Sequence, residues 1–121
     1  MSYRFYNANV RGNFVNDCTI RAISLAEGKS WNETYEELSD LAQYNGIILD
    51  DVRFIEPLLD SRYDRVDYDG YYVGDFVEDH PEGTYLLTMS GHISCCISGI
   101  LFDTFDCRDR VLWSAWKVSD Y

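Results

Sequence analysis

Basic residues, prolines and histidines are all scarce in this chain of 121 residues: ten, two and two respectively, against 21 acidic residues. The shortage of lysine and arginine leaves a formal charge of −11. That removes phosphate-backbone contacts as a main source of affinity, so direct nucleic-acid binding is not expected. The acids are scattered rather than massed in blocks, and a solvated surface explains them more simply than a mimic of nucleic acid. No apolar stretch is long enough to cross a bilayer, and Met1 to Val10 lacks the apolar block of a signal peptide. The expectation is a soluble, cytoplasmic protein without a membrane partner. Cysteines number four (Cys18, Cys95, Cys96, Cys107), too few for a disulfide scaffold in a chain with no mark of secretion, and free thiols are expected. There is no Cys-x-x-Cys pair either. His92, Cys95, Cys96 and Cys107 come nearest to a zinc set, but adjacent Cys95 and Cys96 in a strand point to opposite faces, so no metal or other cofactor is expected.

What is present is a globular composition, 46% hydrophobic and 16% aromatic, which fits one domain over residues 1–121. Tyr3 to Val10 reads as a short strand or extended arm, and Asn13 to Asp17 as a polar approach to a helix from about Cys18 to Glu27. Cys18, Ala22, Leu25 and Ala26 fall on one stripe of that helix, which puts the thiol inward, and Gly28 is its stop. Ser30-Trp31-Asn32-Glu33 has the form of a capping box. It opens a second helix with Trp31, Tyr35, Leu38 and Ala42 on its buried face and Asn45-Gly46 at its end. Asp50 or Asp51 can cap a third through Val52, Ile55, Leu58 and Leu59, kinked at Pro57 unless it begins later. A tyrosine-rich acidic stretch, Tyr63 to Tyr72, precedes a short helix from Val73 to Asp79 and an exposed loop at His80-Pro81. From Gly83 the period becomes two. Thr84 to Met89, His92 to Ile97, Ile100 to Phe105 and Val111 to Val118 read as strands of an antiparallel meander. The fold class is α+β, with N-terminal helices packed on a C-terminal antiparallel sheet.

Three residue types then converge. Cys18 opens its helix, where unpaired N–H groups and a partial positive charge favour a thiolate. A two-residue turn at Ser98-Gly99 sets Ile97 against Ile100 and Ser94 against Asp103, which makes Asp103 the diagonal neighbour of His92. A one-residue slip would instead bring Asp106 forward, so Asp106 is held in reserve. Thiol, imidazole and carboxylate have the logic of nucleophile, base and orienting group. The backbone N–H of Cys18 supplies one oxyanion donor and an upstream amide the second. Asn13 is preferred to Asn16, which the helix can consume as its N-cap. Asp17, beside the thiol, opposes its ionisation unless the carboxylate turns away. Taken singly, Cys18 reads as a core thiol and His92 as a structural histidine. Trp31, Trp113 and Trp116 read as core and rim aromatics, and some of the tyrosines from Tyr63 to Tyr72 as lining for a cleft.

A cysteine heading an early helix, a strand bearing histidine and an aspartate on the next strand resemble the papain-like cysteine peptidase superfamily in a minimal form. More narrowly, Asn16-Asp17-Cys18-Thr19-Ile20-Arg21-Ala22-Ile23-Ser24, with Gly91-His92 and Asp103-Thr104-Phe105-Asp106, is similar to small bacteriophage and bacterial proteins of that type. The resemblance covers most of the chain. It implies Cys18 as nucleophile, His92 as general base and acid, Asp103 as the orienting residue, and an asparagine where papain-like enzymes commonly carry glutamine. It also implies a cysteine hydrolase, a peptidase, amidase or acyl transferase, acting on a protein, peptide or other amide or thioester. A phage-encoded chain would work in the host cytoplasm. The alternative is a non-catalytic acidic interaction protein, such as a phage factor that binds and blocks a basic host protein.

Overall fold

Four helices precede the first long strand in the computed structural model, which describes residues 2–49 and 51–121 without the side chains of 52 and 53. The first, α1, spans Cys18–Glu27 and ends at left-handed Gly28, as its apolar spacing requires. The second, α2, spans Trp31–Asn45 behind a complete capping box, with Ser30 Oγ accepting from Glu33 N at 3.1 Å and Glu33 Oε1 accepting from Ser30 N at 3.2 Å. Its inward face is Thr34, Leu38 and Ala42, whereas Tyr35 is exposed and stacks on Trp31 at 5.2 Å. Thr34 takes the inward place because its hydroxyl donates to Ser30 O and enters the core satisfied. The third helix, α3, spans Val52–Arg62. It runs through exposed Pro57 and does not wait for a later start, since the Asp51 carbonyl already accepts from Phe54 and Ile55. A cap at Asp50 falls outside the described residues.

Six strands form one mixed sheet: β1 Tyr3–Phe5, β2 Asp64–Val66, β3 Thr84–Met89, β4 His92–Ile97, β5 Ile100–Asp103 and β6 Ser114–Ser119, in the order β1-β5-β4-β3-β6-β2. The β3–β4–β5 portion is the expected meander. Pairing of Ile97 with Ile100 is held by Ser98 and Gly99, both at positive φ (52° and 74°), the two-residue turn that matches strand twist. Beyond it the sheet departs from a meander. The arm at the N-terminus is a strand only over three residues, which pair parallel to β5 and occupy its outer edge. The last strand therefore crosses back and pairs with β3, and β2, inside the tyrosine-rich stretch, pairs with it in turn. β5 stops at Asp103 rather than Phe105. There Asp103 Oδ1 accepts from Thr104 N at 2.7 Å and Asp106 Oδ1 from Arg108 N at 3.1 Å, local bonds that replace the ladder.

Both faces of the sheet are covered. Helices α1, α2 and α3 enclose Ile23, Leu38, Leu59, Leu86, Cys95 and Trp116, and α4 (Val73–Asp79) encloses Phe76, Val77, Leu87, Met89, Cys96 and Leu101 on the other side. Every residue of the central strand β3 is buried, as a strand with packing on two faces demands. No helix among the described residues is long and apolar enough to cross a membrane.

Candidate active site

Strand alternation sends Ile93 and Cys95 to the three-helix core, and Cys96 and Leu101 to the α4 core. His92 and Asp103 belong by parity to the second set, whereas Cys18 comes from α1 on the first. They meet because β4 begins at His92 and β5 ends at Asp103, so both sit at one margin of the sheet, where the first turn of α1 reaches them.

At that margin His92 Nε2 lies 2.6 Å from Asp103 Oδ2, and the two side chains are 8% and 2% exposed. Nε2 being committed to Asp103, Nδ1 is the nitrogen left for the thiol, and Cys18 and His92 stand together in the walls of the same two depressions. Phe105 packs on the imidazole with centroids 4.8 Å apart. The sequence-derived register thus brings Cys18, His92 and Asp103 together. The reserve residue Asp106 is exposed and bound to Arg108 through both carboxylate oxygens.

The charges are arranged to support an ion pair. Burial opposes ionisation of Cys18, but the bond from His92, a backbone N–H at Ile93 and the charges of His92 and Arg21 outweigh it and lower the thiol's pKa. His92 is raised well above an ordinary histidine: burial works against the cation, and bonds to Asp103, Cys107 and Cys18 overcome it. Asp103 is held below the usual carboxylate range, again against burial, chiefly by the bond from His92. A thiol shifted toward thiolate, an imidazole shifted toward its cation and a carboxylate behind the ring are the electrostatics that a nucleophile and base pair needs.

Cys18 lies between two depressions, one of about 320 Å³ and one of about 280 Å³, which share Asn16, Cys18 and His92 in their walls. The first is closed by Ile55, Thr88, Met89 and Trp113, and the second by Phe14, Val15 and Phe105. Trp113, at 60% exposure, stands on the rim rather than in the core. Among the described residues, none of the tyrosines from Tyr63 to Tyr72 lines either depression. The preference between the two asparagines reverses. Asp17, not Asn16, is the N-cap residue, and Asn16 borders both depressions. Asn13 is exposed, with its backbone carbonyl accepting from Asn7 and its N–H donating to Asn9, and it borders neither.

His80 is not in an open loop: it closes α4, bonds through Nδ1 to Phe76 O at 2.7 Å and stacks on Phe76 at 3.8 Å. All four cysteines are free, and Cys95 and Cys96 are both fully buried. Among the described residues, the group that could hold a metal is His92, Asp103 and Cys107, whose ligand atoms lie within 4.8 Å of one another. Cys95 and Cys96 take no part in it, and the guanidinium of Arg21, 2.9 Å from Asp103, disfavours a second cation there. Arg21 and Thr104 are site residues that spacing alone did not single out, and Cys107, weighed from the sequence only as a zinc ligand, joins them 3.9 Å from Asp103 Oδ2. The signal for Arg21 was present as the Asp17-Arg21 pair at i, i+4 on one helix.

Comparison with protein-family models, with curated proteins and with solved structures found no match.

Proposed function

We propose that the protein is a cysteine hydrolase or acyl transferase acting on an amide or thioester, with the Cys-His-Asp order and role assignment of the papain-like superfamily. One observation carries the reading: the His92 ring, anchored 2.6 Å from Asp103, shares the walls of two depressions with the thiol at the head of α1. Cys18 attacks the carbonyl carbon as thiolate. The tetrahedral oxyanion is received by the backbone N–H of Cys18 and the side-chain amide of Asn16. As the intermediate collapses, His92 delivers its proton to the leaving amine or thiolate. In the second half His92 takes a proton from water or an acceptor amine, which releases the acid or transferred product and restores Cys18. Asp103 keeps the ring oriented and its charge supported throughout.

Two depressions flanking Cys18 leave room for side chains on either side of a scissile bond, which favours a peptide or protein substrate, in the cytoplasm of the producing cell, or of a host if the chain is phage-encoded. The second reading, an acidic factor that blocks a basic host protein, draws on the excess of 21 acids over 10 basic residues. Intact-mass analysis after exposure to a panel of peptide thioesters separates the two. An adduct confined to Cys18 that decays with time, and is lost in Cys18→Ala, supports the hydrolase. A protein that takes no acyl group from any member of the panel but binds basic proteins supports the blocking factor.

A further inference from the structure

Arg21 links the site to a second buried carboxylate. Its Nε lies 2.7 Å from Asp17 Oδ1, and its Nη1 lies 2.9 Å from Asp103 Oδ1 and 3.3 Å from Thr104 Oγ1. The Arg21 side chain is 11% exposed and the two carboxylates 4% and 2%. Asp17 makes no side-chain cap of α1. Its Oδ2 instead accepts from Trp31 Nε1 at 2.9 Å and Asn9 Nδ2 at 3.2 Å. Bonds therefore run from Trp31 on α2 through Asp17, Arg21 and Asp103 to His92.

Burying three charges is costly unless each is paired and hydrogen-bonded. Here one guanidinium is shared between two carboxylates, and one of them already holds the imidazole. The planar fork fixes the rotation of what it binds. Oδ1 of Asp103 is taken by Arg21 and by the Thr104 N–H, which leaves Oδ2 to His92. Asp17 matters for a second reason: it precedes Cys18 directly, and its negative charge would oppose a thiolate if Arg21 did not neutralise it.

We propose that Arg21 is a positioning residue of this site, fixing Asp103 behind the imidazole, and that the Asp17–Arg21 pair sets the charge balance felt by the Cys18 thiol. The inference rests on reading Cys18 as a nucleophile. Consistent with it, the charge of Arg21 is among the influences that lower the thiol against the cost of its burial.

The two partners carry opposite charge, so their removal has opposite consequences. The test is the rate of iodoacetamide alkylation at Cys18, read by peptide mass spectrometry across pH 4.5 to 9 on the full chain, with circular dichroism as the check on folding. Arg21→Gln keeps an amide for Asp103 but removes the cation. It is expected to raise the acid midpoint by about one pH unit, about tenfold slower alkylation below both midpoints. Asp17→Asn removes the anion and is expected to lower the midpoint, with about threefold faster alkylation at the same pH. Arg21→Lys, which retains the charge, recovers most of the shift. Shifts in the same direction, or no shift in either variant, overturn the inference; a structural role alone would move both alike. If Arg21→Gln does not fold, Asp17→Asn decides alone, and a midpoint unchanged or raised overturns it. A wild-type thiol without a depressed midpoint is a different result, and it would remove the nucleophile reading itself.

Discussion

Cys95 and Cys18 carry the same functional group in opposite surroundings. Cys95 lies in the middle of β4 beneath α1, fully buried, and burial first, then the neighbouring Cys96 and Asp103, pushes its thiol well above an ordinary one. Cys96, its neighbour on the other face, is raised to about 11 by burial as well. Cys18 stands at the margin of the same sheet, and there the imidazole, a backbone N–H and a guanidinium reverse the sign. The difference teaches that desolvation is present in both places and that charge partners decide the outcome. Those partners can assemble only where strands end, because a residue inside the ladder has apolar layers above and below it.

The comparison can be broken most severely at Cys18. Cys18→Ala should abolish acyl transfer, a loss of about 10³-fold or more, with the protein still folded by circular dichroism; turnover retained in that variant would exclude covalent catalysis. Asp103→Asn should come next. A carboxamide keeps the shape but cannot support the imidazolium, and a fall of about 10² to 10⁴-fold in turnover is expected. It should come with a raised acid midpoint for Cys18 alkylation.

The centre of the sheet should respond in stability instead of reactivity. Leu38→Ala is expected to cost about 2–5 kcal/mol in urea unfolding, while the pH midpoint at Cys18 stays in place. Acid titration of stability sharpens the contrast further. Asp103 has a folded pKa below its unfolded one, so its contribution is present above about pH 4 and is lost as pH falls through the depressed value. His92 is raised, so its contribution is complete below its unfolded pKa and disappears only as pH rises through the raised folded value. Urea midpoints should therefore drop between pH 5 and pH 2.5, and Asp103→Asn should flatten that drop. The smallest effect is expected for Cys95→Ala, about 1 kcal/mol of stability and no change in the Cys18 profile.

Much of this was legible in the sequence because local rules were strong where they applied. Helix α1 begins at Cys18 and stops at Gly28, α2 has its capping box, and α4, β3 and β4 occupy the expected ranges. Register followed from a two-residue turn, and with it the placement of Asp103 rather than Asp106 against His92. What escaped was set by long-range competition. Three residues of β1 claim the outer edge of β5, which sends β6 to β3, and no local pattern near Ser114 announces that. Asp64–Val66 is too short to show a period of two. His80 looked exposed beside a proline, but four aromatic and imidazole rings gather there from separate elements. Arg21 was given no role by its local pattern, because its second carboxylate, Asp103, lies 82 residues later.

The direct measurement is the pH dependence of iodoacetamide alkylation at each of the four cysteines of the native chain. Selective modification of Cys18 at pH 6, with a midpoint well below the usual thiol value of about 8.5 and with Cys95 and Cys96 untouched, is the predicted result. Modification of Cys18 only above pH 8, or at the same pace as the buried thiols, would contradict an ion pair at the margin of the sheet.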